Sequence, residues 1–114
     1  MEKIFEGLNA YAKTIKDGVE LDKMEFKPLQ DFRGQVIRVE GFFFTTGNYG
    51  KQVVVVGNGC KINMPSRAVE SFEVIAKDEK LLNALLEGHL QLTNIREVKT
   101  KNGTTTAYDF TTVH

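Results

Sequence analysis

Apolar positions return at two different periods along this chain, and each change of period marks an element. Over residues 3–16, Ile4, Phe5, Leu8, Tyr11, Ala12 and Ile15 recur every three or four positions. Lys, Glu and Asn fill the gaps, so the stretch predicts an amphipathic helix. Asp17-Gly18 supplies a stop, because the glycine can take a left-handed conformation after the last turn. Residues 19–33 have no firm period. Val19, Leu21, Met24 and Phe26 alternate loosely, and Pro28 restricts any strand there to an edge. Leu29 and Phe32 are expected to tie this segment to a core.

From Gly34 the period is two. Ile37, Val39, Gly41 and Phe43 fall on one face, and Val36, Arg38, Glu40, Phe42 and Phe44 on the other. This alternation puts Phe43 in the core and leaves Phe42 and Phe44 beside Arg38. Residues 45–50 (TTGNYG) form a turn rich in residues that tolerate positive φ. The strand from Lys51 to Val56 contains four successive valines, so both of its faces are expected to be covered. Gly57-Asn58-Gly59 is a hairpin signal, and Cys60 to Met64 makes a short third strand.

Pro65 and Ser66 predict a helix start, the serine as its cap. Ala68, Val69, Phe72, Ile75 and Ala76 form an apolar stripe. Asp78 is expected to cap a second segment that carries Leu81, Leu82, Leu85 and Leu86 and ends at Gly88. Residues 89–97 alternate again, Leu90 and Leu92 against His89, Gln91, Thr93 and Ile95. Lys101-Asn102-Gly103 is a hairpin turn, and residues 104–113 are a Thr- and aromatic-rich final strand.

The predicted order is a helix, an edge segment, then β-β-β-α-β-β. That points to a mainly β protein with helices, an OB-like, five-stranded, partly open barrel. The alternative is an α+β antiparallel sheet with helices on one face. One domain, 1–114, is expected, with an N-terminal helix at 1–18, an edge segment at 19–33 and the OB-like part at 34–113.

Composition removes several function classes. No apolar run approaches the roughly 20 residues that span a bilayer, and the N-terminus lacks a signal-peptide layout. The lone Cys60 allows no internal disulfide and suits a reducing, cytoplasmic setting. With His89 and His114 it is too sparse for a four-ligand zinc site. No cofactor motif and no cluster of acid, base and nucleophile is visible, so catalysis is not expected.

Net charge is zero, but it is unevenly spread. Residues 33–67 carry Arg33, Arg38, Lys51, Lys61 and Arg67 against Glu40 alone, whereas residues 68–87 carry five acids against two lysines. The predicted strands are therefore basic and the helices acidic, and a polarised chain can bind an anion on one face. Aromatic rings next to cations are what a sequence-tolerant single-strand binder needs, since bases stack on rings while Lys and Arg follow phosphates. The candidate residues are Arg38, Phe42, Phe44, Tyr49, Lys51, Lys61, Arg96, Lys99, Lys101 and Tyr108, with Phe110 beside them. The structural alternative is that most of these rings fill the barrel and most of these cations are solvated.

The segments FFFTTGNYGKQVVVV and LTNIREVKTKNGTTTAYDF resemble small OB-fold single-stranded DNA-binding proteins of phages and mobile elements of Gram-positive bacteria. The likeness spans roughly residues 34–112 and lies in a glycine-spaced first hairpin and a K-N-G last hairpin. This chain departs from that group in having no tryptophan and no net positive charge. The resemblance implies non-catalytic binding of single-stranded nucleic acid, DNA rather than RNA. The competing expectation is a protein-interaction or inhibitor module, such as a phage or mobile-element factor that docks on a host or defence protein. The leucines of residues 81–86 would also suit a homo-oligomer interface.

Overall fold

A six-stranded mixed sheet curls into a half-barrel around one apolar core, and two helices pack into it. The computed structural model describes residues 14–16, 18–47 and 50–113. The strands are β1 (Glu25–Pro28), β2 (Ile37–Gly47), β3 (Gly50–Gly57), β4 (Cys60–Asn63), β5 (Leu90–Thr100) and β6 (Gly103–Thr112), with α1 (Ala68–Lys77) and α2 (Glu79–Leu86) between β4 and β5. Their order across the sheet is β1-β4-β3-β2-β5-β6. All neighbours are antiparallel except β1 and β4, which run parallel.

The mainly β character with helices agrees with the sequence reading. The five-strand expectation is corrected to six, because the edge segment forms β1, a four-residue outer strand that ends at Pro28. Proline has no N–H to offer a further neighbour, so this edge closes itself. Short 3-10 turns at Leu21–Lys23 and Leu29–Phe32 flank it, and Leu29 and Phe32 anchor in the core as expected.

The helix expected over 3–16 lies outside the described residues except for its last three positions. Those three are not helical. Ile15 forms an antiparallel bridge to Gly41, with Lys16 N–H donating to the Glu40 carbonyl (2.7 Å) and Phe42 N–H to the Thr14 carbonyl (2.9 Å). The approach requires glycine at 41. A Cβ there would lie 2.6 Å from Ile15 Cα and 2.8 Å from the Thr14 carbonyl oxygen.

Gly41 also marks a break in register between Val39 and Gly41 on β2. A bulge adds one residue to one strand and exchanges its two faces beyond that point. Ile37 and Val39 face the core, and after the bulge Phe42 does, fully buried. The assignment of Phe43 to the core and Phe42 to the outer face beside Arg38 is therefore corrected. Phe44 follows Phe42 inward and packs half-buried against the core.

A second bulge lies between Thr93 and Arg96 on β5, where Asn94 sits at φ 51°. It brings Ile95 to the face of Leu92, both buried, where strict alternation would have set them apart. On β3 all four valines are buried, Val53 and Val55 in the main core and Val54 and Val56 on the other face. This matches the expectation that both faces of that strand are covered.

The helices bury Ala68, Phe72, Ile75 and Leu85, while Leu81 stays exposed. Asp78 caps α2, accepting from the backbone N–H of Lys80 (2.9 Å) and Leu81 (3.3 Å). Ser66 does not cap α1. A turn of Ala68 N–H onto the Pro65 carbonyl opens that helix instead. After α2, Gly88 at φ 89° allows its own N–H to reach the Leu85 carbonyl and the His89 N–H to reach that of Ala84. This paired closure satisfies the helix end and turns the chain into β5.

Candidate nucleic-acid interface

Strands β5 and β6 continue beyond their pairing with β2 as a two-stranded arm, whose Thr104–Thr106 stretch faces Pro28–Gln30 and Asn63–Pro65 across a cavity of about 280 Å³. Beside β2, β5 pairs only at Ile37–Leu92 and Arg38–Gln91, whereas its ladder with β6 runs out to Thr100–Gly103. Most residues of the arm beyond the second bulge are exposed. Cross-strand partners share a face. Lys99 opposite Thr104, and Glu97 opposite Thr106, therefore lie on the side that carries Tyr108 and Phe110 farther along β6. Arg96 pairs with Ala107 and lies on the reverse side, beside Asp109 at 3.6 Å, with its guanidinium also donating to the Asn94 carbonyl.

At the base of the arm, Tyr108 and Phe110 face α1 across a cleft of about 350 Å³ lined by Arg67, Ser71, Ala107, Tyr108 and Phe110. The two rings meet edge-to-face with centroids 5.4 Å apart, and Phe110 keeps 43% of its surface exposed. Arg67 is held by a 2.8 Å hydrogen bond from its guanidinium to the Thr106 carbonyl. One nitrogen is thus committed, and a guanidinium has other donors for a ligand. Burial pushes the Tyr108 hydroxyl above the ordinary tyrosine range, and the nearby Arg67 charge opposes that shift. At neutral pH it is a phenol that can stack and donate.

The rings behind this cleft are packed in series. Phe110 touches Phe72 (5.7 Å), Phe72 touches Phe42 (5.0 Å), and Phe42 touches Phe44 (5.7 Å). At the far end Lys51 Nζ lies 4.4 Å from the Phe44 centroid and 2.7 Å from Glu73 Oε1. The hydrogen bond and the charge from Lys51 hold the Glu73 carboxyl below the usual glutamate range, with burial opposing and Lys77 adding a smaller downward pull.

The candidates read from sequence therefore separate. Tyr108, Phe110 and Lys99 share one face of the arm, and Lys101 is exposed at its turn. Neither Lys99 nor Lys101 has an ion pair among the described residues. Phe42 is removed from the candidate surface, because its ring is wholly inside the core. Phe44 and Lys51 form a separate corner closed by Glu73. Arg38 is exposed on the far side of β2, near a cavity of about 300 Å³ that it lines with Lys16, Val39, Glu40 and Gly88. Lys61 Nζ lies 4.3 Å over the Phe26 ring on the outer strands β1 and β4. Tyr49 lies outside the described residues.

Two participants were not singled out from sequence. Arg67 follows Pro65-Ser66, a dipeptide that reads as a helix start and hides the outward use of the next side chain. Phe26, 56% exposed, sits in the segment without a period. Among the described residues no three His, Cys, Asp or Glu side chains converge as a metal site would need, and no helix is long and apolar enough to cross a membrane. No family model matches this chain, nor does any curated protein or solved structure.

Proposed function

We propose that this chain binds single-stranded nucleic acid, DNA in the first instance, without catalysing a reaction, through the cleft between α1 and β6 and the lysine-bearing tip of the arm. The observation that carries the reading is the cleft itself. A partly bare ring pair stands opposite an arginine already fixed in place, and Lys99 and Lys101 extend the positive charge along the arm. Each stacked base is worth roughly 1–3 kcal/mol, and cations along the same track take the phosphates.

The strand connectivity supports an OB-like reading. A three-strand meander, a helical segment, and a hairpin whose first strand returns beside the first strand of the meander follow the order of that barrel. Here β1 occupies the position beside β4, and the sheet stays open between β1 and β6. In OB-folds the face of the second and third strands commonly takes the ligand, together with the first and last hairpin loops. In this chain that face is buried at Val54 and Val56. The proposed contact therefore moves to the last hairpin and the helix beside it.

Titration of a labelled dT oligonucleotide at low and moderate salt tests the reading. Micromolar binding that weakens with salt is expected, and Tyr108→Ala and Arg67→Ala should each reduce it. Absence of binding at micromolar protein in low salt would sink the proposal.

One observation favours a second reading, a protein-docking module. β6 is a ten-residue outer strand whose only charge is Asp109, and it has none of the proline or lysine that usually blunts a sheet edge. The Thr106 carbonyl points away from β5 toward Arg67. By the alternation of an antiparallel ladder, the backbone groups of Thr104 and Tyr108 point the same way. Such an edge can take an added strand from a partner. Retained solubility and folding with no oligonucleotide binding would shift the balance to this reading.

A further inference from the structure

Two Asn-Gly pairs occur in the sequence: Asn58-Gly59 forms the turn between β3 and β4, whereas Asn102 closes the Lys101-Asn102 turn and Gly103 opens β6, paired with Thr100 at the last position of the ladder. They differ in how the asparagine amide is held. At Asn58, Oδ1 accepts from the Arg38 backbone N–H (3.1 Å) and Nδ2 donates to the Val36 carbonyl (2.9 Å), and the residue is fixed at φ 51°. At Asn102 the side chain is exposed and makes no hydrogen bond among the described residues. The residue after it, Gly103, stands at φ 123° with no atom within 4 Å of where a Cβ would be. A glycine leaves its own backbone nitrogen unshielded on that side.

We infer that Asn102 is a spontaneous modification site that converts to a carboxylate. The Gly103 backbone nitrogen attacks Asn102 Cγ, forming a C–N bond and a five-membered succinimide. The amide Nδ2 leaves as ammonia, carrying the proton lost by the glycine nitrogen. Water then opens the ring at either carbonyl, giving aspartate or isoaspartate. No redox partner or enzyme enters the balance. The freedom of the Asn102 amide permits the attack once the terminal Thr100–Gly103 rung of the hairpin opens, and the two hydrogen bonds on the Asn58 amide oppose it. The new negative charge stands at the tip of the arm beside Lys101 and in the turn that joins Lys99 to Thr104. Its effect on binding rests on the function proposed above, but the chemistry does not.

The test is to incubate the folded protein in mildly alkaline buffer at physiological temperature and follow both sites by peptide mass spectrometry. A chemically denatured sample serves as reference. Asn102 should convert at least about tenfold faster than Asn58 in the folded chain, since the Asn58 hydrogen bonds must break first. The two rates should approach each other in denaturant. Equal rates in the folded protein, or a folded Asn102 that stays intact while the denatured one reacts, would overturn the inference. N102D, compared with wild type on the same dT oligonucleotide, reads the consequence separately. A several-fold loss of affinity is expected, and unchanged affinity would overturn the stated effect on binding. If wild type does not bind the oligonucleotide, the function proposal fails while the mass measurement still decides the chemistry.

Discussion

Phe42 shows what a single ring contributes here. It is fully buried and joins Phe44 on β2 to Phe72 on α1. Phe42→Ala should cost about 3–5 kcal/mol in urea denaturation, the usual penalty for emptying a buried aromatic site. Half-buried Phe43 should cost distinctly less on truncation. The aromatic run was legible in the sequence, but which ring turns inward was not. Strict alternation points to Phe43, and only the extra residue at the Gly41 bulge reverses it. A mid-strand glycine hints at such a bulge without giving its register. Glu73 offers a second test at this scale. Its folded-state pKa lies below the unfolded one, so the Lys51 contact adds stability near neutrality and loses it as pH falls through the range where Glu73 protonates. NMR titration should find Glu73 acidic relative to an ordinary glutamate, and Lys51→Met should return it toward that value.

Among the elements, the arm depends on Asn94. The residue holds a left-handed conformation, and its side-chain amide donates to Asp109 Oδ2 at 2.9 Å. Asn94→Val forces a β-branched side chain into that region and should cost about 1–2 kcal/mol, whereas Asn94→Gly should cost much less. Thermal melts of the two variants decide between them. The helices were the most legible elements, because their apolar stripes, the Asp78 cap and the Gly88 stop all act within a few residues of one another. The strand faces were less legible. Each bulge is a two-strand feature, and the partner strand is invisible to a local pattern. The cleft was legible only in part for the same reason. Tyr108 and Lys99 are near each other in sequence, but Arg67 reaches them only through the packing of α1 against β6.

For the molecule as a whole, zero net charge gives no general attraction to a polyanion. Binding must come from a few local cations, and that has a quantitative consequence. With Arg67, Lys99 and Lys101 each meeting one phosphate, log K should fall against log salt with a slope of about −2, from roughly 0.7 per contact on a single strand. A much steeper slope would mean that Arg38 and Lys61, on other faces of the sheet, also take part. Lys101→Ala should make the slope shallower by about 0.7 while leaving stability unchanged. The charge polarity itself was legible by counting along the chain, but its use was not. The basic strands spread their cations over several faces, and two of them, Lys51 and Lys61, lie over the rings of Phe44 and Phe26.

The narrow junction between β2 and β5 also bears on how the chain assembles. Two residue pairs, Ile37–Leu92 and Arg38–Gln91, join a meander built from near neighbours to a hairpin built from near neighbours. Each ladder closes short loops. The junction must instead close a loop of about half the chain, with the entropy that entails, and gains only two ladder positions in return. It is therefore expected to form late in folding, after the meander and the hairpin have each closed their own short loops. Shortening Leu92 to valine should accordingly speed unfolding more than it slows refolding, a division that a chevron plot would display.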